Sequence, residues 1–200
     1  LDETSRREIL GYLERLVARL SIPTLYVSHS LREVLRLADH MVWLVDGRVH
    51  AAGTPAEVVR KAGFARWQGE EAAVVVEATV REDGSGDASR YGLTVLDGPW
   101  GPIWMRLPPH PPGTTVRVQI RASDVSLGLD RDERTSILNQ FPLQVLALDS
   151  GEDGEVLVTL GRRGEPAVLL ARITPLSRDR LGLEHGTQVF ARVKSVAVIE

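Results

Sequence analysis

Thr174, Ser177 and Lys194 carry the donor groups that a tetrahedral oxyanion accepts. Thr174 precedes Pro175 at an expected helix N-cap, and Ser177 follows within the first turn. Both hydroxyls and the free amides of that turn would face one anion, and the helix dipole favours negative charge there. Lys194, on the expected last strand, would add a full positive charge. His29 stands at the end of the apolar run Thr24-Leu25-Tyr26-Val27-Ser28. A histidine at the carboxyl end of a parallel strand sits where open α/β sheets bind ligands, and its imidazole donates a single hydrogen bond. His40, His50, His110 and His185 fall in no comparable setting and read as surface or turn residues. There is no cysteine, which removes disulfides, thiolate metal sites and thiol nucleophiles together. No GxxxxGK[ST] phosphate loop occurs, and no metal-ligand cluster is expected.

The elements that must position these residues divide at about Gln68. Ile9, Leu10, Leu13, Leu16, Val17 and Leu20 form one helical stripe after a Ser5–Glu8 capping box. The run from Thr24 to Val27 reads as a buried parallel strand. Ser30 and Glu33 open a second helix, and Met41–Val45 with Arg48–Ala52 form a hairpin around Asp46-Gly47. Thr54-Pro55-Ala56-Glu57 starts a further helix. This order is that of an α/β segment.

Beyond Ala73, β-type runs alternate with Gly, Pro and Asp: Val74–Val80, Leu93–Leu96, Ile103–Arg106, Thr115–Ile120, Leu143–Leu148, Val156–Leu160, Val168–Ile173 and Val189–Ile199. Such spacing predicts small barrels or sandwiches. The charged stretch Asp130–Thr135 divides the region into two halves, and one helix opens at Thr174-Pro175 and closes at Leu181-Gly182. The expected organisation is an α/β segment over 1–68, an OB-like half-barrel over 73–130 and a second small barrel over 135–200.

Lys and Arg total 24 against 27 Asp and Glu, a net charge of -3 in 200 residues. Nucleic-acid binding by phosphate neutralisation favours a basic chain, and stacking favours exposed aromatics. Aromatics are 5%, and Trp67, Trp100 and Trp104 do not interleave with basic runs, so no nucleic-acid partner is expected. No run is long and apolar enough to cross a bilayer as a helix.

The order of Leu1-Asp2, Leu25-Tyr26-Val27-Ser28-His29-Ser30-Leu31, Leu37-Ala38-Asp39-His40-Met41, Asp46-Gly47-Arg48-Val49 and Gly53-Thr54-Pro55 resembles the final third of an ABC-transporter ATPase domain. That resemblance implies a D-loop tail at Asp2 and the switch histidine of the H-loop at His29. Ser136-Ile137-Leu138-Asn139, Leu170-Ala171-Arg172-Ile173-Thr174, Ser177, Leu181-Gly182-Leu183, Gly186 and Val193-Lys194-Ser195-Val196 resemble the Mop-type molybdate-binding barrel of the TOBE group. Val118–Leu127 resembles the half-barrel preceding it in molybdate-importer ATPases. Together these pieces are similar to the C-terminal part of the ATP-binding subunit of a molybdate ABC importer.

The resemblance implies ATP and Mg²⁺ as cofactors of a full-length ATPase, with these 200 residues inactive alone for want of the phosphate loop. It implies molybdate as a regulatory ligand, held by Thr174, Ser177 and Lys194 of one subunit and the Ser136 segment of its partner. Leu138 stands where that family usually has Arg. The implied partners are a second copy of the chain, a transmembrane permease subunit and, indirectly, a periplasmic or extracellular oxyanion-binding protein. The implied location is the cytoplasmic face of the membrane. A non-enzymatic oxyanion-binding or storage protein is the alternative; it leaves the H-loop-like segment without a use.

Overall fold

The structure, a computed structural model, describes residues 9, 11–13, 23–28, 30, 33–34, 37–59, 72–81, 86–151 and 154–199. The chain divides into two compact units, 1–61 and 62–200.

In the first unit, Ile9, residues 11–13, Glu33, Val34 and Leu37 are helical. The amides of Glu33 and Val34 both donate to the Ser30 carbonyl, which starts the second helix where the sequence predicts it. Strands β1 (Met41–Val45) and β2 (Arg48–Gly53) pair antiparallel. Asp46 and Gly47 both take positive φ, 48° and 73°, the backbone of a tight two-residue hairpin turn. Met41 and Trp43 point inward while Val42 and Leu44 face out. Helix α1 (Pro55–Val59) follows, opened by a reciprocal cap. The Thr54 amide donates to Glu57 Oε2 at 2.8 Å and the Glu57 amide to Thr54 Oγ1 at 3.3 Å.

The expected strand at Thr24–Ser28 does not form. Residues 23–28 take neither helix nor strand, and Leu25 and Val27 are 92% and 87% exposed. A parallel strand exists only through its neighbours' hydrogen bonds. Among the described residues of this unit, the one sheet is the two-stranded hairpin. The molecule as described is therefore mostly β, with few helices.

The second unit holds two five-stranded sheets, both antiparallel. Its strands are β3 (Ala73–Val80), β4 (Thr94–Gly98), β5 (Gly101–Met105), β6 (Thr115–Arg121), β7 (Val125–Gly128), β8 (Asn139–Ser150), β9 (Val156–Gly161), β10 (Val168–Ile173), β11 (Gln188–Val193) and β12 (Ala197–Ile199). Helix α2 (Pro175–Leu181) lies between β10 and β11. The sheet orders are β12-β6-β3-β4-β5 and β10-β9-β8-β11-β7. In the second sheet the edge strands β10 and β7 lie against each other, which curls it into a barrel.

The sheets do not follow the sequence halves. β7 leaves β6 through the short 3-10 turn Ala122–Asp124 and joins the second sheet beside β11. The expected run Val189–Ile199 breaks at 194–196, and its end, β12, returns to pair with β6. The halves 73–130 and 135–200 thus exchange one strand each, and the two crossings are joined where the Lys194 amide donates to the Asp124 carbonyl at 2.9 Å.

One apolar cluster runs through both sheets, with Leu96, Ile103, Val118 and Ile120 continuing into Val145, Val158, Leu160 and Ala171. Trp100, 1% exposed, packs on Phe141 with ring centroids 5.8 Å apart. Its indole N–H donates to the Ala167 carbonyl at 3.4 Å, and Arg162 Nη2 donates to the Trp100 carbonyl at 2.8 Å. Asn139 is buried and acts as an extra ladder rung. Its Oδ1 accepts from the Trp104 amide at 2.7 Å, and its Nδ2 donates to the Trp104 carbonyl at 2.9 Å.

Candidate oxyanion-binding site

Helix α2 forms because Thr174 caps it and Pro175 occupies its first position. Thr174 is extended, with φ -84° and ψ 155°, and its Oγ1 accepts the Ser177 amide at 3.1 Å. The two hydroxyl oxygens lie 3.0 Å apart. The helix ends on Gly182 in the left-handed region, φ 57°, and the Leu183 amide returns to the Arg178 carbonyl at 3.0 Å. The structure thus brings Thr174 and Ser177 together, as the sequence predicts. It also spends donors that the sequence reading left free. Pro175 has no N–H, and the Ser177 amide is committed to the cap. An anion here would share the hydroxyl pair and the Leu176 amide.

Lys194 is exposed and lies just past β11, in the crossing to β12, rather than on a strand. Its ammonium group makes no ion pair among the described residues. Ser136 is exposed in the connector 129–138 between β7 and β8. In the β8–β11 ladder Asn139 stands opposite Val193, so Leu138 and Lys194 flank the same end of that ladder. β10, which leads into Thr174, packs on the Ala122–Asp124 turn to which the Lys194 backbone is bonded. No hydrogen bond joins Ser136 or the Lys194 ammonium to the Thr174–Ser177 pair among the described residues.

Asp2 and His29 lie outside the described residues. The segment flanking His29 is described: Ser28 Oγ accepts the Ser30 amide at 3.0 Å and donates to Glu33 Oε2 at 2.6 Å. Tyr26 donates its hydroxyl to the same carboxylate oxygen at 2.9 Å, and Glu33 is buried. Of the remaining histidines, His50 meets Trp43 edge-on at 4.3 Å, and His110 Nδ1 lies 2.7 Å from the Pro108 carbonyl oxygen. Among the described residues no group of three or more His, Cys, Asp or Glu is placed to hold a metal ion, and no helix is long and apolar enough to cross a membrane.

Sequence reasoning missed Asn139 and the pair Gln140 and Arg192. Asn139 had a signal: it shares the inward phase of Phe141, Leu143 and Val145 along β8, where a polar residue must find a partner. Gln140 and Arg192 lie in the opposite phase, where polar residues are ordinary.

Residues 135–199 match the TOBE domain family. Over its whole length the chain is 45% identical to the molybdenum import ATP-binding protein ModC of Pseudomonas aeruginosa, covering 54% of that protein. It is 43% identical to the proteins of the same name from Aromatoleum aromaticum and Methylococcus capsulatus, covering 51% and 55% of them. The chain therefore spans about half the length of the curated relatives it matches. Among solved structures, the cytoplasmic molybdate-binding protein ModG superposes with a TM-score of 0.50 at 20% identity, over 62% of this chain and 94% of that one; the likeness is one of fold. Along its whole length the chain is thus similar to about half of each of these molybdenum import ATP-binding proteins, and its residues 135–199 match the TOBE domain family.

Proposed function

We propose that these residues are the C-terminal portion of the ATP-hydrolysing subunit of a molybdate ABC importer. Residues 1–68 are the end of its ATPase domain, with Asp2 in the D-loop and His29 as the switch histidine. Residues 73–130 and 135–200 are small barrels that pair two copies of the chain and hold molybdate or tungstate at Thr174, Ser177 and Lys194, with Ser136 of the second copy. The subunit docks on a membrane permease at the cytoplasmic face and receives its oxyanion from an external binding protein through that permease. The observation that carries this reading is the 45% identity running through all of the chain, ATPase-like segment included. A storage protein built from barrels alone offers no reason for that segment.

ATP and Mg²⁺ do not fit the residues of this chain by themselves. The 200 residues hold no glycine-rich loop with a lysine to cradle phosphates. What the chain supplies is His29, next in sequence to the linked residues Tyr26, Ser28, Ser30 and Glu33. Ser28 and Tyr26 both donate to the buried Glu33 carboxylate, and Ser28 Oγ accepts the Ser30 amide.

The test is phosphate release. The 200-residue chain is expected to release none from ATP. In the longer protein, His29→Ala is expected to lower turnover on the order of a hundredfold, the usual scale for removing one transition-state hydrogen-bond donor. Turnover by the chain alone, or a near-normal rate in the substituted longer protein, overturns the reading.

A further inference from the structure

The connector 129–138 exposes Ser136, yet two side chains pin it at three points. Gln140 Nε2 donates to the Asp132 carbonyl at 2.7 Å and to the Ile137 carbonyl at 3.3 Å, while its Oε1 accepts the Asp132 amide at 3.1 Å. Arg192, directly opposite Gln140 in the β8–β11 ladder, donates Nη2–H to the Asp130 carbonyl at 2.9 Å. Its Nη1 lies 4.0 Å from Asp132 Oδ2. Within the pinned stretch, Asp132 Oδ1 accepts the Arg134 amide and Thr135 Oγ1 the Ile137 amide.

Arg192 reaches the connector by lying flat over Gly128. A Cβ at that position would stand 2.7 Å from Arg192 Nη2 and 2.9 Å from Cζ. The guanidinium is largely covered, and its Nε is buried without a partner among the described residues. Leaving a buried donor unpaired costs stability. The arrangement is thus one in which the placement of Nη2 and Nη1 matters more than full satisfaction of the side chain.

We propose that Arg192 and Gln140 are positioning residues: they hold connector 129–138 in one geometry so that Ser136 meets an oxyanion already ordered. This rests on the oxyanion reading above. A preformed donor set binds without first losing the freedom of a loose loop, and removing a group that orients a ligand typically costs on the order of tenfold in affinity. Gly128 belongs to the device because only a bare Cα leaves room for the guanidinium.

The experiment pairs calorimetric titration with sodium molybdate and limited trypsin digestion, which reports the connector through cleavage after Arg131 and Arg134. Wild type, Gln140→Ala, Arg192→Gln and Gly128→Ala are compared, with thermal melts to confirm folding. Gly128→Ala keeps the charge of Arg192 and displaces only its head, so it carries the test if Arg192→Gln fails to fold. The expected result is faster cleavage at both arginines in each variant, together with molybdate affinity about tenfold lower. Arg192→Lys, which retains a donor for the Asp130 carbonyl, should recover part of both. Faster cleavage with unchanged affinity, or unchanged cleavage, overturns the proposal. If wild type takes up no molybdate while the cleavage pattern is as expected, the oxyanion reading itself has failed, and the positioning role falls with it.

Discussion

Among the described residues, 62–200 buries far more of its apolar side chains than 1–61 does. In the second unit the valines, leucines and isoleucines of two sheets close on one another, and Leu96, Ile103, Val118, Ile120, Val145, Leu160 and Leu169 are all fully buried. In the first, Leu25, Val27, Val42, Leu44 and Val49 stand 92%, 87%, 50%, 54% and 64% exposed. The sequence patterns are equally strand-like in both. What differs is whether a second layer covers the faces that the strands present. Each strand of the second unit finds an antiparallel partner nearby in the sequence or through an exchanged edge. The run from Thr24 to Ser28 is of the parallel type, and it forms no strand. Hydrophobic pattern specifies which face wants burial; it does not specify that a partner is at hand.

The sharpest way to break this contrast is to open the second unit's core. Trp100 fills the space between Phe141 and the β9–β10 turn, and truncating so large a buried aromatic typically costs about 3–5 kcal/mol. Trp100→Ala should also free Ala167 of its indole donor. Hydrogen-exchange mass spectrometry is expected to show protection falling together across β3–β12, while peptides covering the hairpin 41–53 exchange as before. Loss of protection confined to β4 and β5 would mean that the two sheets are not one cooperative body.

Much of this arrangement was legible in the sequence. β-type runs bounded by Gly, Pro and Asp located most strands to within a few residues, Asp46-Gly47 marked the hairpin turn, and Thr54 and Thr174 marked their helices by cap chemistry. The strand exchange was not legible. Val125-Ser126-Leu127-Gly128 is short and follows β6 almost directly, so it reads as a continuation of it. Val189–Ile199 reads as one run because Lys194-Ser195-Val196 contains neither Gly nor Pro to mark the break. At the candidate site, the Thr174–Ser177 pair was visible because capping is local in sequence. The grip of Gln140 and Arg192 on the 129–138 connector depends on a cross-strand register that no local signal encodes.

The tie between sheets offers a smaller and more specific perturbation. Asn139 satisfies both backbone groups of Trp104 with one amide. Asn139→Ala leaves a partly buried N–H and C=O unpaired, at a cost of about 1–3 kcal/mol. Asn139→Asp is expected to be no better. Its carboxylate still accepts the Trp104 amide, but it turns an acceptor, and a negative charge, toward the Trp104 carbonyl. Chemical denaturation of the three proteins measures this directly, and equal stability of Asn139→Asp and wild type would show that the Nδ2 bond contributes nothing.

The smallest effect in this chain is expected where the apolar residues are most exposed. Leu25→Ser with Val27→Ser removes side chains that already face water, so the unfolding free energy of the 200-residue chain should change by less than about 0.5 kcal/mol. In the longer protein the proposed role of residues 24–28 is a strand of the ATPase sheet, where each of these side chains would be covered. Burying a leucine or valine is worth about 1.5–3 kcal/mol, so the same double substitution should there destabilise by several kcal/mol. The comparison therefore reads out whether the Leu25 and Val27 side chains become covered in the longer protein. Equal, small effects in both would mean that the run stays uncovered there too, and His29 would then not stand at the end of a sheet strand. A large effect in the short chain would mean that Leu25 and Val27 already pack against another surface in solution, a second copy being the first candidate to check by light scattering of wild type and the substituted chain.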